Sequence, residues 1–120
     1  MSGEIVHFEL QAADADRAQG FWSGLFGWQF QSSGNPEMDY RMAEAGGNMG
    51  AAIYPSEQVQ GHPNVYLSVD DIDRSVAKVR ELGGSAEDKA PVPGHGWFAP
   101  CIDTEGNSFH LWHGDSSAGQ

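Results

Sequence analysis

Hydrophobic and polar positions alternate along two short segments of the chain, and a helical pattern follows each of them. In residues 5–10 one face of the predicted strand is apolar, whereas the other face carries His7 and Glu9. Residues 64–69 repeat this arrangement with Tyr66 on the more polar face. Each strand therefore has one side suited to a covering helix and one side that can present chemical groups.

The two segments belong to a repeat at an offset of 57 residues. The identical positions are six of eighteen: Leu10, Asp14, Asp16, Arg17, Leu25 and Gly27 match Leu67, Asp71, Asp73, Arg74, Leu82 and Gly84. Chance would give about one identity at the usual residue frequencies. The repeat indicates two copies of one supersecondary unit.

An acidic start and a glycine stop bound a helix in each copy. The acidic segments from Asp14 to Arg17 and from Asp70 to Arg74 are predicted to supply the helix N-caps, and Gly27 and Gly83 follow the last apolar positions. In the first helix the apolar stripe is broad, and Phe21 and Trp22 are expected to pack on the sheet. Short strands are predicted after the helices at Trp28–Gln31, Tyr40–Glu44, Met49–Tyr54, Ser85–Asp88, Trp97–Ile102 and Ser108–Trp112.

The pattern predicts an α+β fold of two paired βαβββ modules. Their sheets are expected to form an open curved sheet, a cup, with the helices outside. We expect a single domain, 1–120, with module 1 at 4–55 and module 2 at 63–113. A linker is predicted at 56–62 and a flexible tail at 114–120.

Charge and cysteine content restrict the class of partner. Seventeen acidic and six basic residues give a formal net charge of −11, which argues against binding to nucleic acid or to an anionic membrane. No stretch approaches the roughly 20 apolar residues of a membrane helix. The single cysteine, Cys101, lies in an apolar run and is interpreted as an inert core thiol of a cytoplasmic protein.

Three motifs resemble those of the vicinal oxygen chelate superfamily, which includes glyoxalase I, extradiol dioxygenases and bleomycin resistance proteins. They are Phe21-Trp22 with the segment from Leu25 to Trp28, the segment from Val69 to Asp73 with Leu82-Gly83-Gly84, and the segment from Asp103 to Leu111. In the last of these, Thr104 replaces the usual proline. The resemblance spans nearly the whole chain and implies the cup fold, a small-molecule ligand and a homodimer.

The superfamily's metalloenzymes take ligands from the first and last strand of each module. By resemblance the metal positions here are His7 and His110, with Asn64 and Ile53 at the corresponding places in the other copy. Glu9 projects to the same side as His7 and is the candidate general base. A divalent metal, Zn, Ni, Mn or Fe, is therefore one expectation, although only two strong ligands are present.

Two functions of different class follow. In the first, the protein is a metal-dependent lyase, isomerase or ring-cleaving dioxygenase that acts on a substrate with vicinal oxygens. In the second, which the sparse ligand set favours, it is a metal-free binding protein of the bleomycin-resistance kind. Its cup would then be lined by Asn64, Tyr66, Trp97, Trp112 and Tyr54 and would hold an aromatic or cationic compound. The ligand, and the choice between the two functions, are not determined by the sequence.

Overall fold

The structure is a computed structural model, and it describes residues 2–120. The elements in chain order are β1 (Ile5–Ala12), α1 (Ala15–Phe26), β2 (Gln31–Ser32), β3 (Arg41–Gly46), β4 (Met49–Pro55), β5 (Asn64–Ser68), α2 (Ile72–Glu81), β6 (Ser85–Ala86), β7 (Ala90–Val92), β8 (Gly96–Ile102) and β9 (Ser108–Gly114). Two compact units contain them. The first unit is Val6–Asn64, and the second unit is Val65–Gln120 together with residues 2–5.

In the first unit the strands are ordered β2-β3-β4-β1. Strand β1 pairs in parallel with β4, whereas β3 pairs antiparallel with both β4 and β2. Helix α1 covers one sheet face, where Ala12, Ala15 and Ile53 are buried and Trp22 packs against them. Successive residues of β1 point to opposite faces of the sheet, so the side chains of His7 and Glu9 lie on the face away from α1.

The second unit repeats this order as β5-β9-β8-β6, with β7 also paired to β8. Strand β5 is parallel to β9, and β8 is antiparallel to β9. The face under α2 holds a buried cluster of Val69, Ile72, Val76, Ala99, Cys101 and Leu111. Burial raises the pKa of the Cys101 thiol to about 11, which supports its interpretation as an inert core residue.

The predicted α+β class and paired modules are confirmed, and the second copy departs from the βαβββ order only in having two short strands, β6 and β7, between α2 and β8. Asp14 and Asp71 cap the two helices, each accepting a hydrogen bond from the backbone N–H three residues later. Gly27 ends α1 with a φ of +73°, a left-handed conformation that glycine adopts without steric cost. Among the described residues, neither helix is long and apolar enough to cross a membrane.

The strand pairing corrects one predicted equivalence. Tyr66 pairs with His110 in the second unit, and its counterpart Glu9 pairs with Ala52 in the first. The residue that corresponds to His110 is therefore Ala52 rather than Ile53. Ile53 is fully buried against α1. The turn before β4 differs in length from the turn before β9, so a constant offset fails here by one residue.

Two further expectations differ from the structure. The apolar stripe predicts Phe21 as a core residue, but 62% of its surface is exposed, because α1 turns Trp22 rather than Phe21 toward the buried cluster. The expected flexible tail at 114–120 instead folds against the β7–β8 turn. There Ala118 is fully buried, and the indole N–H of Trp97 donates to Asp115 at 3.1 Å. The backbone N–H of Gly94 also donates to the Ala118 carbonyl at 3.0 Å.

Candidate ligand-binding cavity

A cavity of about 660 Å³ opens in the first unit, between His7, the segment that follows α1, and strands β2 to β4. Its wall combines one imidazole, one carboxylate and one indole with amide, hydroxyl and thioether groups. These groups belong to His7, Glu44, Trp28, Gln29, Gln31 and Met42, together with Ser32. The volume admits a small organic molecule, and polar and apolar groups contribute about equally to the wall.

A chain of hydrogen bonds fixes the imidazole of His7. The hydroxyl of Tyr40 donates to Oε2 of Glu9 at 2.7 Å, and the same hydroxyl oxygen lies 2.7 Å from Nε2 of His7. A phenol has one proton to donate, and a carboxylate only accepts. The Nε2–H of His7 is therefore the donor to Tyr40, which leaves Nδ1 as the acceptor atom of the ring.

The other edge of the His7 ring lies against Gly50, which also lines the cavity. A Cβ atom at residue 50 would stand 2.8 Å from Nδ1, closer than real side chains approach one another. Because Gly50 has no side chain, there is room for the His7 ring at this position. Burial lowers the pKa of His7 below its ordinary value and outweighs the opposing attraction of Glu9. Near neutral pH the cavity wall thus carries a neutral imidazole of fixed tautomer.

The lowered pKa of His7 predicts a specific pH dependence of stability. When pH falls below about 6.5, the unfolded chain binds a proton at His7 before the folded protein does. The stabilisation from the neutral ring is therefore present above that pH and is lost below it. Urea midpoints at pH 7.5 and 5.5 should fall more for the wild type than for His7→Gln. Equal falls in the two proteins would contradict the assignment.

Tyr54, the aromatic residue predicted in this copy, extends the same cluster. Its ring stacks on that of Tyr40 at a centroid distance of 6.2 Å, and its hydroxyl accepts a hydrogen bond from Nε2 of Gln11 at 2.9 Å. The structure thus brings three predicted residues, His7, Glu9 and Tyr54, into one cluster through Tyr40.

The second unit gathers a different set of predicted residues. The imidazole of His110 stacks on Tyr66 with ring centroids 4.4 Å apart and also contacts Phe98 at 6.3 Å. Trp112 pairs with Phe98 across the strands and lies over Gly96. A smaller cavity of about 330 Å³ is lined by His110 with mainly apolar neighbours. Asn64, at the start of β5, is buried.

Trp97 does not lie with this aromatic group. It packs against the buried cluster beneath α2, and Lys89 sits over its ring at 4.5 Å. Its neighbour Phe98 instead faces His110. The correction has a simple cause, because both faces of β8 are apolar and alternation alone could not decide which one meets the helix.

A family model described as "Glyoxalase-like domain" matches residues 7–112. The chain belongs to the glyoxalase-like domain family. A "Glyoxylase-like domain-containing protein" of Didymella fabae is 30% identical over 123 residues, which cover 90% of this chain and 91% of that protein. A "Putative glyoxylase CFP32" of Mycobacterium bovis is 32% identical over 119 residues. That match covers 92% of this chain and 46% of the relative, so the chain spans about half the length of the mycobacterial protein.

Solved structures resemble this glyoxalase-like domain over nearly its whole length. A member of the glyoxalase/bleomycin resistance protein/dioxygenase superfamily from Vibrio splendidus 12B01 has a TM-score of 0.70 at 14% identity and covers 93% of this chain and 99% of its own. A variant of the Streptomyces coelicolor methylmalonyl-CoA epimerase, in complex with 2-nitronate-propionyl-CoA, has a TM-score of 0.71 at 16% identity and full coverage of both chains. These likenesses concern the fold. Together with the family match they confirm the resemblance to the vicinal oxygen chelate superfamily.

The donor groups of this glyoxalase-like domain do not fit the metal that the superfamily implies. A catalytic divalent site uses three or more protein ligands. Among residues 2–120, no group of three or more His, Cys, Asp or Glu side chains lies close enough to hold a metal ion. In the first unit, Nε2 of His7 and the carboxylate of Glu9 are both engaged by Tyr40. No step of the function proposed below therefore involves a metal ion.

The sequence reasoning missed the residues that β3 brings to the cavity. Met42 and Glu44 of β3 line the cavity, and the pairing of β3 with β4 places them, together with Tyr40 just before β3, on the face beside His7 and Glu9. The alternation of Tyr40, Met42 and Glu44 was readable in the sequence. However, the order of the strands in the sheet was needed to show which residues face His7.

Proposed function

We propose that this glyoxalase-like domain binds a small organic molecule in the cavity of its first unit, without a metal. The observation that carries the proposal is that Tyr40 and Glu9 fix the imidazole of His7, which lines a cavity of about 660 Å³. It holds an acceptor atom in a fixed orientation, which lowers the cost of ordering a bound ligand. The polar groups that could otherwise ligate a cation serve to position the ring.

The cavity wall favours a flat ligand with hydrogen-bond donors and positive charge. Nδ1 of His7 is an acceptor, and Glu44 offers a carboxylate, which binds charged donors more strongly than neutral ones. Trp28 also lines the cavity, and its indole, which stacks on Trp22 at 5.4 Å, offers apolar contact to a planar or cationic group. The net charge of −11 adds a weak attraction for cations.

Three probes of nearly equal shape test this proposal. Benzamidine is a planar cation with N–H donors, benzamide is its neutral counterpart, and benzoate is the anion. We expect benzamidine to bind with a Kd of order 1 mM, as suits so small a ligand. Benzamide should bind more weakly and benzoate more weakly still. Isothermal titration calorimetry measures the three affinities. Tryptophan fluorescence of the wild type provides a second measurement, and the Trp28→Phe variant is the control that identifies the contribution of Trp28.

The Glu44→Gln variant identifies the source of the charge preference. It should reduce the preference for benzamidine over benzamide about three- to tenfold while leaving benzamide binding unchanged, because only the charged interaction is removed. Equal affinity of wild-type protein for benzamidine and benzoate would overturn the ligand class. Failure of all three probes to perturb the cavity residues in NMR spectra would overturn the site.

A metal-dependent enzyme is the competing function, and metal analysis separates it from the proposal. Protein purified without chelator should contain less than stoichiometric Zn, Ni, Mn or Fe. Stoichiometric metal that is lost in both His7→Ala and His110→Ala would refute the metal-free function.

A cytoplasmic location and a homodimer, both expected from the sequence analysis, remain part of the proposal.

A further inference from the structure

Tyr40 fixes the imidazole of His7 from a distant place in the sheet. It lies just before β3, and the strand order β3-β4-β1 puts a whole strand between β3 and the strand that carries His7 and Glu9. Neighbouring strands are about 4.8 Å apart, so the phenol reaches across roughly two strand spacings. A side chain extended in this way keeps one orientation only if other groups hold it along its length.

Tyr54 is one of the groups that hold Tyr40. The two rings stack at a centroid distance of 6.2 Å with an angle of 24° between their planes. The ring of His7 stacks on Tyr40 at 6.3 Å with an angle of 28°. Because the three rings are packed nearly parallel, a tilt of Tyr54 would move Tyr40 and, through its hydroxyl, His7.

Gln11 fixes Tyr54 in turn. It lies opposite Tyr54 in the pairing of β1 with β4, and its Nε2 donates to the Tyr54 hydroxyl at 2.9 Å. At the other end of the amide, Oε1 accepts a hydrogen bond from the backbone N–H of Gln60 at 3.0 Å. A backbone N–H only donates, so the amide oxygen must face Gln60 and the NH₂ group must face Tyr54. The main chain therefore sets the orientation of this amide.

Gln11 and Tyr54 act on a ligand through other side chains. Within residues 2–120, the wall of the larger cavity includes His7 but neither Gln11 nor Tyr54. We propose that Gln11 and Tyr54 are positioning residues of the ligand site. They hold Tyr40 where it keeps the proton of His7 on Nε2, and they thereby favour ligands that present a hydrogen-bond donor to Nδ1. This inference rests on the proposed function, because it concerns which ligands the cavity prefers.

The second copy of the repeat lacks the groups for this series of contacts. By strand pairing, the places of Gln11, Tyr54 and Tyr40 are taken there by Ser68, Trp112 and Phe98. Neither Trp112 nor Phe98 has a hydroxyl group. Both copies nevertheless form the same helix-covered sheet, so the fold does not require the Gln11–Tyr54 hydrogen bond. Its presence beside His7 is expected of residues that serve the site.

The tautomer of His7 provides a test that needs no ligand. Long-range ¹H–¹⁵N NMR spectra distinguish an imidazole protonated at Nε2 from one protonated at Nδ1. Near neutral pH the wild type should show the Nε2–H form. Gln11→Met keeps the length of the side chain without its hydrogen bonds, and Tyr54→Phe keeps the ring without its hydroxyl. Each should bring in at least about 10% of the Nδ1–H form. Unchanged His7 signals in both variants would overturn the proposal.

Benzamidine titrations followed by NMR measure the consequence for binding. Gln11→Met and Tyr54→Phe should each raise the Kd about three- to fivefold, as the loss of one positioning hydrogen bond does. Since both remove the same bond, the double variant should bind no more weakly than Gln11→Met alone. Independent effects would instead multiply to roughly tenfold or more. Multiplied losses in the double variant would overturn the proposal.

Gln60→Met is the matched control. It replaces an exposed glutamine side chain but keeps the backbone N–H that donates to Gln11. Both the His7 tautomer and the benzamidine Kd should therefore equal those of the wild type. A loss as large as that of Gln11→Met would show that the effect comes from loosening of residues 56–62, and it would overturn the positioning role.

The two measurements separate this inference from the proposed function. A shifted tautomer in the variants, with no benzamidine binding even by the wild type, would support the positioning role and overturn the ligand class. A lower urea midpoint with unchanged His7 signals would show a purely structural role and overturn the inference. If circular dichroism shows that Gln11→Met is misfolded, Tyr54→Phe decides, because it removes a single hydroxyl group.

Discussion

Gly96→Ala is expected to destabilise the protein by about 2–3 kcal/mol, as overpacking of a tightly filled site does. A Cβ atom at residue 96 would clash with the backbone carbonyl oxygen of His113 and would lie 2.8 Å from the ring of Trp112. The carbonyl belongs to β9, which is paired with β8 along its length, so it cannot move without disturbing the sheet. Urea unfolding at a fixed protein concentration measures the change.

Gly20→Ala provides the control for that substitution. Gly20 lies within α1, and no atom stands within 4 Å of a Cβ placed there. Replacing this helical glycine should stabilise the protein by about 0.5–1 kcal/mol, because alanine loses less backbone entropy on folding. The two variants should therefore move the urea midpoint in opposite directions. A Gly96→Ala protein as stable as the wild type would show that β8 and β9 are not packed as described.

Gly50→Leu is expected to weaken benzamidine binding at least tenfold. The new side chain would enter the wall of the cavity and displace the His7 ring, since even its Cβ would stand 2.8 Å from Nδ1. Both the space and the positioned acceptor would be lost. Calorimetric titration of benzamidine into the variant measures the effect, with far-UV circular dichroism as the check on folding.

Gly50→Ala should give an intermediate affinity. Its single methyl group moves the ring without filling the cavity, so a graded series from glycine to alanine to leucine is expected. Unchanged benzamidine affinity in Gly50→Leu would place the probe elsewhere on the protein. Unchanged affinity in Gly50→Ala alone would mean that the space in the cavity, rather than the orientation of His7, controls binding.

Local pattern predicted much of the fold because its causes are local. The acidic caps at Asp14 and Asp71 and the helix stop at Gly27 depend on hydrogen bonds and dihedral angles within a few residues. Alternation along β1 likewise placed His7 and Glu9 on one face, as the structure has them. The 57-residue repeat then extended these results from one copy to the other.

Wherever a residue's environment depended on a partner distant in sequence, pattern was insufficient. Trp97 and Phe98 are both apolar neighbours on β8, and only the position of α2 decides which is core. Phe21 and Trp22 both lie in a helical apolar stripe, yet only Trp22 packs against the buried cluster under α1. The constant offset misplaced the counterpart of His110 by one residue, because turn lengths are not shared by the copies.

The sequence by itself determined two βαβββ copies, their helix boundaries and the face on which His7 and Glu9 lie, since short-range sterics and hydrogen bonds control these features. Only the tertiary structure decided what those side chains do. Strand order brought Tyr40 between Glu9 and His7, so that the candidate general base helps to fix the imidazole of a candidate metal ligand, and left Gly50 to hold the space for the ring. Such contacts join residues more than 30 positions apart, and they exist only once the sheet has formed.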